Sequence, residues 1–269
     1  LNLKPIQQVE LSLFETFIRI CNQYSLHYFL VGGSLLGAIR HHGFIPWDDD
    51  LDVGMPREDY NKFLKLAPVL LSHSAYFLQT PFTDKNYAMS YAKLIDLDTK
   101  IQERNNFNNA KNGIFIDIFP FDAIPEKSSE QTTQMAKIKF YDSSIIVRLG
   151  YRLTDSNLNK LFRPLNQRQY AEVRELKHKR DQIFQQFNQQ GLQQYKNLAS
   201  QYKYDKEIML IEEMNNLISH PFAHLNVMIP ADYDVILKRM YGDYMKLPPE
   251  ADQSPKHYSQ VFINDIEIL

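Results

Sequence analysis

Two stretches lying close together constrain this chain more than anything else in it. The first is Gly32-Gly33-Ser34, and the second is Pro46-Trp47-Asp48-Asp49-Asp50-Leu51-Asp52-Val53. The aromatic and apolar run Leu26-His27-Tyr28-Phe29-Leu30-Val31 ends at the paired glycines, which predicts a buried strand. Glycine there lets the backbone turn sharply and approach a ligand with no Cβ in the way. Ser34 stands where an N-cap belongs, and Leu35 to His41 reads as a short helix whose exposed amides suit a phosphate. An ordinary strand–turn–helix connection would look the same, so this turn is informative only in company.

The acids supply that company. If residues 50 to 53 form a strand, Asp50 and Asp52 project from the same face. Two carboxylates held that close repel and raise one pKa unless a cation lies between them. Hard oxygen ligands of this kind select Mg²⁺ or Mn²⁺. The alternative, a solvated acidic turn, fits poorly because apolar Leu51 and Val53 interleave with the acids and a bulky Pro46-Trp47 precedes them. Farther along, Gly113-Ile114-Phe115-Ile116-Asp117-Ile118-Phe119-Pro120-Phe121-Asp122 reads as a buried strand with one carboxylate in its middle. An unpaired buried carboxylate is costly, so Asp117 needs a cation or a basic partner. A third metal ligand delivered from a neighbouring strand answers that need. Asp122, past Pro120, reads as a turn residue. Lys93 enters the apolar strand-like run Tyr87 to Asp96, where a surface position and a phosphate-facing one are equally open.

The rest of the chain sets bounds. With 269 residues, 44% hydrophobic and 13% aromatic, the composition is that of an ordinary globular protein. A net charge of -2 excludes a globally basic nucleic-acid binder. The single cysteine, Cys21, excludes an intrachain disulfide and a cysteine zinc cluster, and its place on an apolar stripe makes it core. No apolar run approaches the ~20 residues that span a bilayer, and the first residues lack a basic-then-apolar leader pattern. The expectation is a cytoplasmic chain, with peripheral contact at the inner membrane face as a partner reading. Val9, Leu13, Phe14, Phe17, Ile18, Ile20 and Cys21 predict an amphipathic helix of about four turns. A second helix starts at Arg57 and is closed by Pro68, and His27 reads as a hydrogen-bonded structural histidine. From Glu126 to about Asn216 the texture is helical. Between Lys137 and Asp181 eleven Lys or Arg stand against five Asp or Glu. Arg148, Arg152, Arg163, Arg168, Arg174, Lys179 and Arg180 could there face a polyanion or an acidic membrane, or simply solvent. A helix from Asp234 to Tyr241 ends at Gly242, a natural C-cap. Beyond it lies an aromatic loop with His257-Tyr258, whose tyrosines suit either packing or an organic cation or sugar.

Taken together, Gly32 to His41, Gly43 to Val53, Arg57, Gly113 to Pro120 and Tyr241-Gly242-Asp243-Tyr244-Met245-Lys246-Leu247-Pro248-Pro249 resemble the signature of the LicD family. The resemblance runs from the first helix to near the C-terminus, and only residues 126 to 220 lack a matching motif. It implies a nucleotidyltransferase-like α+β fold: a mixed β-sheet core with flanking helices over residues 1–125, a helical insertion over 126–220, and a C-terminal segment, 221–269, packing on the core. It further implies metal ligands Asp50, Asp52 and Asp117, with Asp48 or Asp117 as the base and Asp49 a bystander. Gly32, Gly33, Ser34, Arg40 and Lys93 would hold the donor's phosphates. The implied reaction moves phosphocholine from CDP-choline to a sugar hydroxyl of a cell-surface glycopolymer precursor, such as teichoic acid or lipopolysaccharide, with release of CMP. The fukutin-related relatives use CDP-ribitol, so the alcohol is not set by the shared signature. Nucleotidyl transfer with pyrophosphate release, and a non-catalytic CDP-alcohol-binding scaffold, are the alternatives.

Overall fold

The computed structural model describes residues 2–103, 108–151, 164–255 and 258–268; Arg152, Arg163 and His257 lie outside the described residues. The fold is α+β, built around one curled mixed sheet. Helix α1 (Lys4–Gln23) buries Ile6, Leu13, Phe14, Phe17, Ile20 and Cys21 along one stripe. It starts a turn before the apolar periodicity does, because Pro5 near its start costs no helical hydrogen bond. Strand β1 (Phe29–Leu30) is shorter than its apolar run, since only Phe29 and Leu30 stand in strand register, opposite Gly54 and Val53. Helix α2 (Gly32–His41) follows, then β2 (Asp52–Pro56), α3 (Arg57–Leu70), β3 (Tyr76–Gln79), β4 (Ala92–Asp96), β5 (Thr99–Glu103) and β6 (Phe115–Ala123). Pro68 does not close α3, which continues through it to Leu70. Strand β4 begins only at Ala92, five residues later than the composition suggested.

Strand β6 is the spine. The order β1-β2-β6-β4-β3 places it between β2, its one parallel neighbour, and antiparallel β4. Helices α1 and α3 both pack on β6, and the ring contacts of Phe17 with Tyr28 and Phe63 seal the layer between them. Cys21 is fully buried there, as its place on the apolar stripe requires. His27 meets Asp59 through both its backbone N–H and its ring Nδ1, at 3.0 and 2.9 Å, which is the structural role expected of it.

The region beyond residue 126 departs from an all-helical reading. Helices α4 (Ser128–Arg148) and α5 (Gln167–Phe184) pack together, but β7 (Gln194–Lys196), β8 (Ile208–Leu210), α6 (Ile211–Asn215) and the hairpin β9 (Leu217–Phe222) with β10 (Leu225–Pro230) come next. Strand β7 pairs with the far end of β6, Asp122 opposite Lys196, and so extends the core sheet. Its three residues, Gln-Tyr-Lys, carry no strand pattern of their own; the exposed edge of β6 creates the strand. Helix α7 (Tyr233–Tyr241) ends at Gly242 with φ +71°, as a C-cap glycine should, and β11 (Tyr258–Ile263) pairs with β5 and with β12 (Ile266–Glu267). Among the described residues no helix is long and apolar enough to cross a membrane.

The basic excess of this region is not one solvated face. Arg180 is 2% exposed and donates to Ala88 O at 2.7 Å, Met89 O at 2.8 Å and Asp142 Oδ1 at 2.7 Å. Lys177 is equally buried, with its ammonium on the carbonyls of Pro81 and Lys85. These two cations bolt α5 onto the core, whereas Arg168 and Lys179 pair with Glu172 and Glu175 on the helix surface. A polyanion-facing role for Arg180 is therefore ruled out by its burial.

Candidate active site

The glycine turn and the acidic stretch meet at the backbone of Asp52. Ser34 Oγ accepts the Asp52 N–H at 2.8 Å, and Asp52 O accepts the Val31 N–H at 3.3 Å. Ser34 is thus not the N-cap; Val31 is, and the Ser34 hydroxyl instead fastens α2 to β2. Gly32 sits at φ +54°, a left-handed conformation that a side chain would strain. A Cβ on Gly33 would lie 2.8 Å from Asp48 Oδ2, so the bare backbone is what lets the Asp48 carboxylate lie against the turn. Gln7 of α1 donates to Asp48 O at 3.0 Å and holds the acidic loop from the other side.

Strand β2 begins at Asp52, so Asp50 belongs to the loop before it and the expected same-face pair on a strand does not form. The structure makes a different pair. Asp52 on β2 stands opposite Asp117 on β6, and Asp117 stands opposite Lys93 on β4. Registered partners on neighbouring strands project to one face, so Asp52, Asp117 and Lys93 form a row across the middle of the sheet. Lys93 is 5% exposed, its Nζ 4.0 Å from Asp117 Oδ1 and 3.2 Å from the centre of the Phe115 ring, so it is not a surface lysine.

Negative charge is crowded here. Burial pushes the Asp52 carboxyl well above its usual range, and Asp50, Asp117, Asp48 and Glu207 push it further in the same direction. Glu10, on the buried stripe of α1, is fully buried, and neither of its carboxylate oxygens finds a hydrogen-bond partner among the described residues. Burial raises its pKa, and Asp50, Asp49, Asp48 and Asp117 add to the rise. Asp49, expected to be a bystander, is fully buried and belongs to this field. Among the described residues no three His, Cys, Asp or Glu side chains are already arranged as a cation-binding cluster. What the site offers is a concentration of hard oxygen donors whose mutual repulsion a cation would relieve.

One expected site residue is tied into the fold, and one expected turn residue lies elsewhere. Arg40 donates to His41 Nε2 at 2.9 Å and to Tyr244 O at 2.8 Å, tying α2 to the loop after α7. Asp122 is no turn residue: it lies in β6, fully buried, and accepts from Arg57 Nε at 2.7 Å and Arg57 Nη2 at 2.5 Å. Sequence reasoning also passed over Glu10, Glu207 and Tyr202. Glu10 had a legible signal, because it interrupts the apolar stripe between Ile6 and Leu13 and Phe14. Glu207 and Tyr202 had none, being polar residues in a polar stretch.

Comparison with known proteins gives the family. The family described as LicD/FKTN/FKRP, nucleotidyltransferase domain, matches residues 25–148, which include the glycine turn, the acidic stretch and β6. A lipopolysaccharide cholinephosphotransferase, LicD of Haemophilus influenzae, is 33% identical over 277 aligned residues, covering 98% of this chain and 98% of that protein. The chain belongs to the LicD family. Human and mouse ribitol 5-phosphate transferase FKRP are 59% identical to it over 34 residues, a stretch that is 13% of this chain and 7% of theirs. The family match stops at the end of α4, while the bacterial relative aligns through the later strands and helices as well.

Proposed function

We propose that this LicD-family protein is a phosphotransferase that moves phosphocholine from CDP-choline to a sugar hydroxyl of a lipid-linked surface glycan precursor, of lipopolysaccharide or teichoic acid type. The observation that carries the reading is the Asp52–Asp117 pair, registered across β2 and β6 beside the glycine turn and crowded by Asp50 and Asp48. The full-length similarity to a cholinephosphotransferase supports the alcohol. The donor set suits a hard divalent cation, Mg²⁺ or Mn²⁺, held by Asp50, Asp52 and Asp117. Such a cation, when bound, neutralises the donor diphosphate and the charge that develops on the departing CMP.

The chain's own residues do the rest. The start of α2 at Gly32 and Gly33, with the free amides of a helix N-terminus, suits a phosphate oxygen. The Ser34 hydroxyl, accepting from Asp52 N–H, keeps its own hydrogen for a phosphate oxygen. Lys93, fixed beside Asp117, adds a positive charge at the same edge of the row. Asp117 or Asp48 takes the proton of the attacking sugar hydroxyl, and in-line alignment of hydroxyl, phosphorus and leaving CMP provides most of the acceleration. The test is to incubate the protein and Mg²⁺ with CDP-choline or CDP-ribitol and a deacylated glycan acceptor, and to identify the products. CMP with phosphocholine on the glycan is expected. Pyrophosphate released from CTP in a parallel incubation, with no CMP from either CDP-alcohol, would mean nucleotidyl transfer, and CMP only from CDP-ribitol would replace the alcohol.

A further inference from the structure

A pair of tyrosines borders this site without a part in the chemistry above. Tyr241 ends α7, and Tyr202 lies in the segment joining β7 to β8. Their hydroxyls are 2.9 Å apart and their rings meet edge to face, with centroids 6.0 Å apart at 81°. The pair abuts the carboxylate row: a Cβ placed on Gly32 would lie 3.8 Å from Tyr241 Oη and 3.7 Å from Asp52 Oδ2. Tyr202 is 44% exposed, so the corner is open to a ligand.

Behind it stands Glu207, 6% exposed, with Oε2 lacking a hydrogen-bond partner among the described residues. Burial raises the pKa of Glu207, while the Ser200 hydroxyl and the Lys196 ammonium draw it back down. The charges of Glu207, Asp52 and Asp50 all reach the Tyr202 hydroxyl, so the corner lies in a negative field. The cavity on the inner side of Glu207, lined by Leu30, Gly32, Leu35 and Met240, measures only about 10 Å³. That holds one water at most, so any larger ligand must sit on the open, tyrosine side.

We propose that Tyr202, Tyr241 and Glu207 form the subsite for the trimethylammonium head of the donor alcohol. The inference rests on the reading that the donor carries choline. A quaternary ammonium has no N–H to donate, so it is held by aromatic faces and a nearby negative charge. A polyol needs several hydrogen-bonding groups, and here one of the two hydroxyl hydrogens is already used within the tyrosine pair. Perpendicular rings make a corner for a rounded group, not the parallel slot that a planar base fills. Gly32 has Tyr241 Oη and Asp52 Oδ2 on its open side, which puts this corner one short linker away from where the phosphate must lie.

The test compares Tyr202→Leu, Tyr202→Phe and Glu207→Gln with the unaltered protein. KM for CDP-choline, and separate binding of phosphocholine and of CMP, would be measured on each, with melting temperature as a check on folding. Tyr202→Leu and Glu207→Gln are expected to raise KM for CDP-choline and to weaken phosphocholine roughly tenfold. Binding of CMP should not change, and Tyr202→Phe should retain most of the affinity. Exposed Tyr202 carries the test if Glu207→Gln fails to fold. Unchanged phosphocholine binding in Tyr202→Leu would overturn the subsite, as would a parallel loss of CMP binding, which would mean that the ring holds the base. Failure of the functional reading is seen elsewhere, as no CMP release from CDP-choline by the unaltered protein. In that case the subsite still stands or falls on whether the unaltered protein prefers phosphocholine to ribitol phosphate and loses that preference in Tyr202→Leu.

Discussion

Strand β6 carries two aspartates five residues apart, and they live in opposite electrostatic worlds. Asp122 is fully buried, gripped by the Arg57 guanidinium through two hydrogen bonds and by Asn188 Nδ2 at 2.7 Å. Asp117 stands opposite another carboxylate, Asp52, with Lys93 4.0 Å away and Asp48 and Asp50 in the same neighbourhood. An odd separation along a strand sends the two side chains to opposite faces. One face matches charge with countercharge, and the other concentrates like charge. The first pattern holds a fold together, and the second is stable only at some cost, which a ligand can offset. The contrast identifies which aspartate of the same strand belongs to the chemistry.

The largest effect should come from removing charge at the crowded end. Asp52→Asn is expected to lower kcat/KM on the order of 10²–10³-fold, since it removes one preorganised electrostatic contact. Its melting temperature should hold steady or rise, because repulsion is relieved. A fall in melting temperature with activity intact would erase the distinction between the two ends. At the matched end the reverse is expected. Asp122→Asn leaves the Arg57 guanidinium buried without its countercharge and should cost about 3–5 kcal/mol in urea unfolding, while the folded fraction keeps its turnover within a few-fold.

A smaller effect sharpens the comparison from α1. The folded pKa of Glu10 lies above its unfolded value, so its contribution to stability is present below about pH 4.3 and is lost as pH rises toward and through the folded value. In chelator-treated protein, stability should therefore fall with rising pH above that point, by at most about 1.4 kcal/mol per pH unit from this group. Glu10→Gln should flatten the slope. Parallel curves for the two proteins, followed by thermal melts from pH 4 upward, would show that Glu10 is not part of the crowded field.

Much of this is legible in the sequence alone. The Gly32-Gly33 turn, the carboxylates at 48 to 52 and Asp117 inside an apolar run all lie where the structure gathers them, because turn glycines and interrupted apolar patterns are local signals. Helices α1, α3 and α7 were legible for the same reason. Less visible was anything that depended on a partner far along the chain. Ser34 looked like a cap because serine before an apolar helix is one, but its hydroxyl was recruited by Asp52, 18 residues on. Arg180 looked like part of a basic surface, yet it reaches carbonyls 91 and 92 residues away.

The sequence by itself determined that this chain bends at paired glycines, carries an acidic loop into a strand, and buries a carboxylate in another strand. These are consequences of backbone freedom and of the cost of burying charge. Only the tertiary structure decided which acids meet. Register between β2 and β6 chose Asp52 and Asp117, the run-out of β6 past β4 recruited β7, and the fold of the later chain brought Tyr202 and Glu207 to the Gly32 turn. The physical reason is the same in each case. Local pattern sets the conformation of a residue, but the partner of a buried polar group is whatever the packing of distant segments delivers to it.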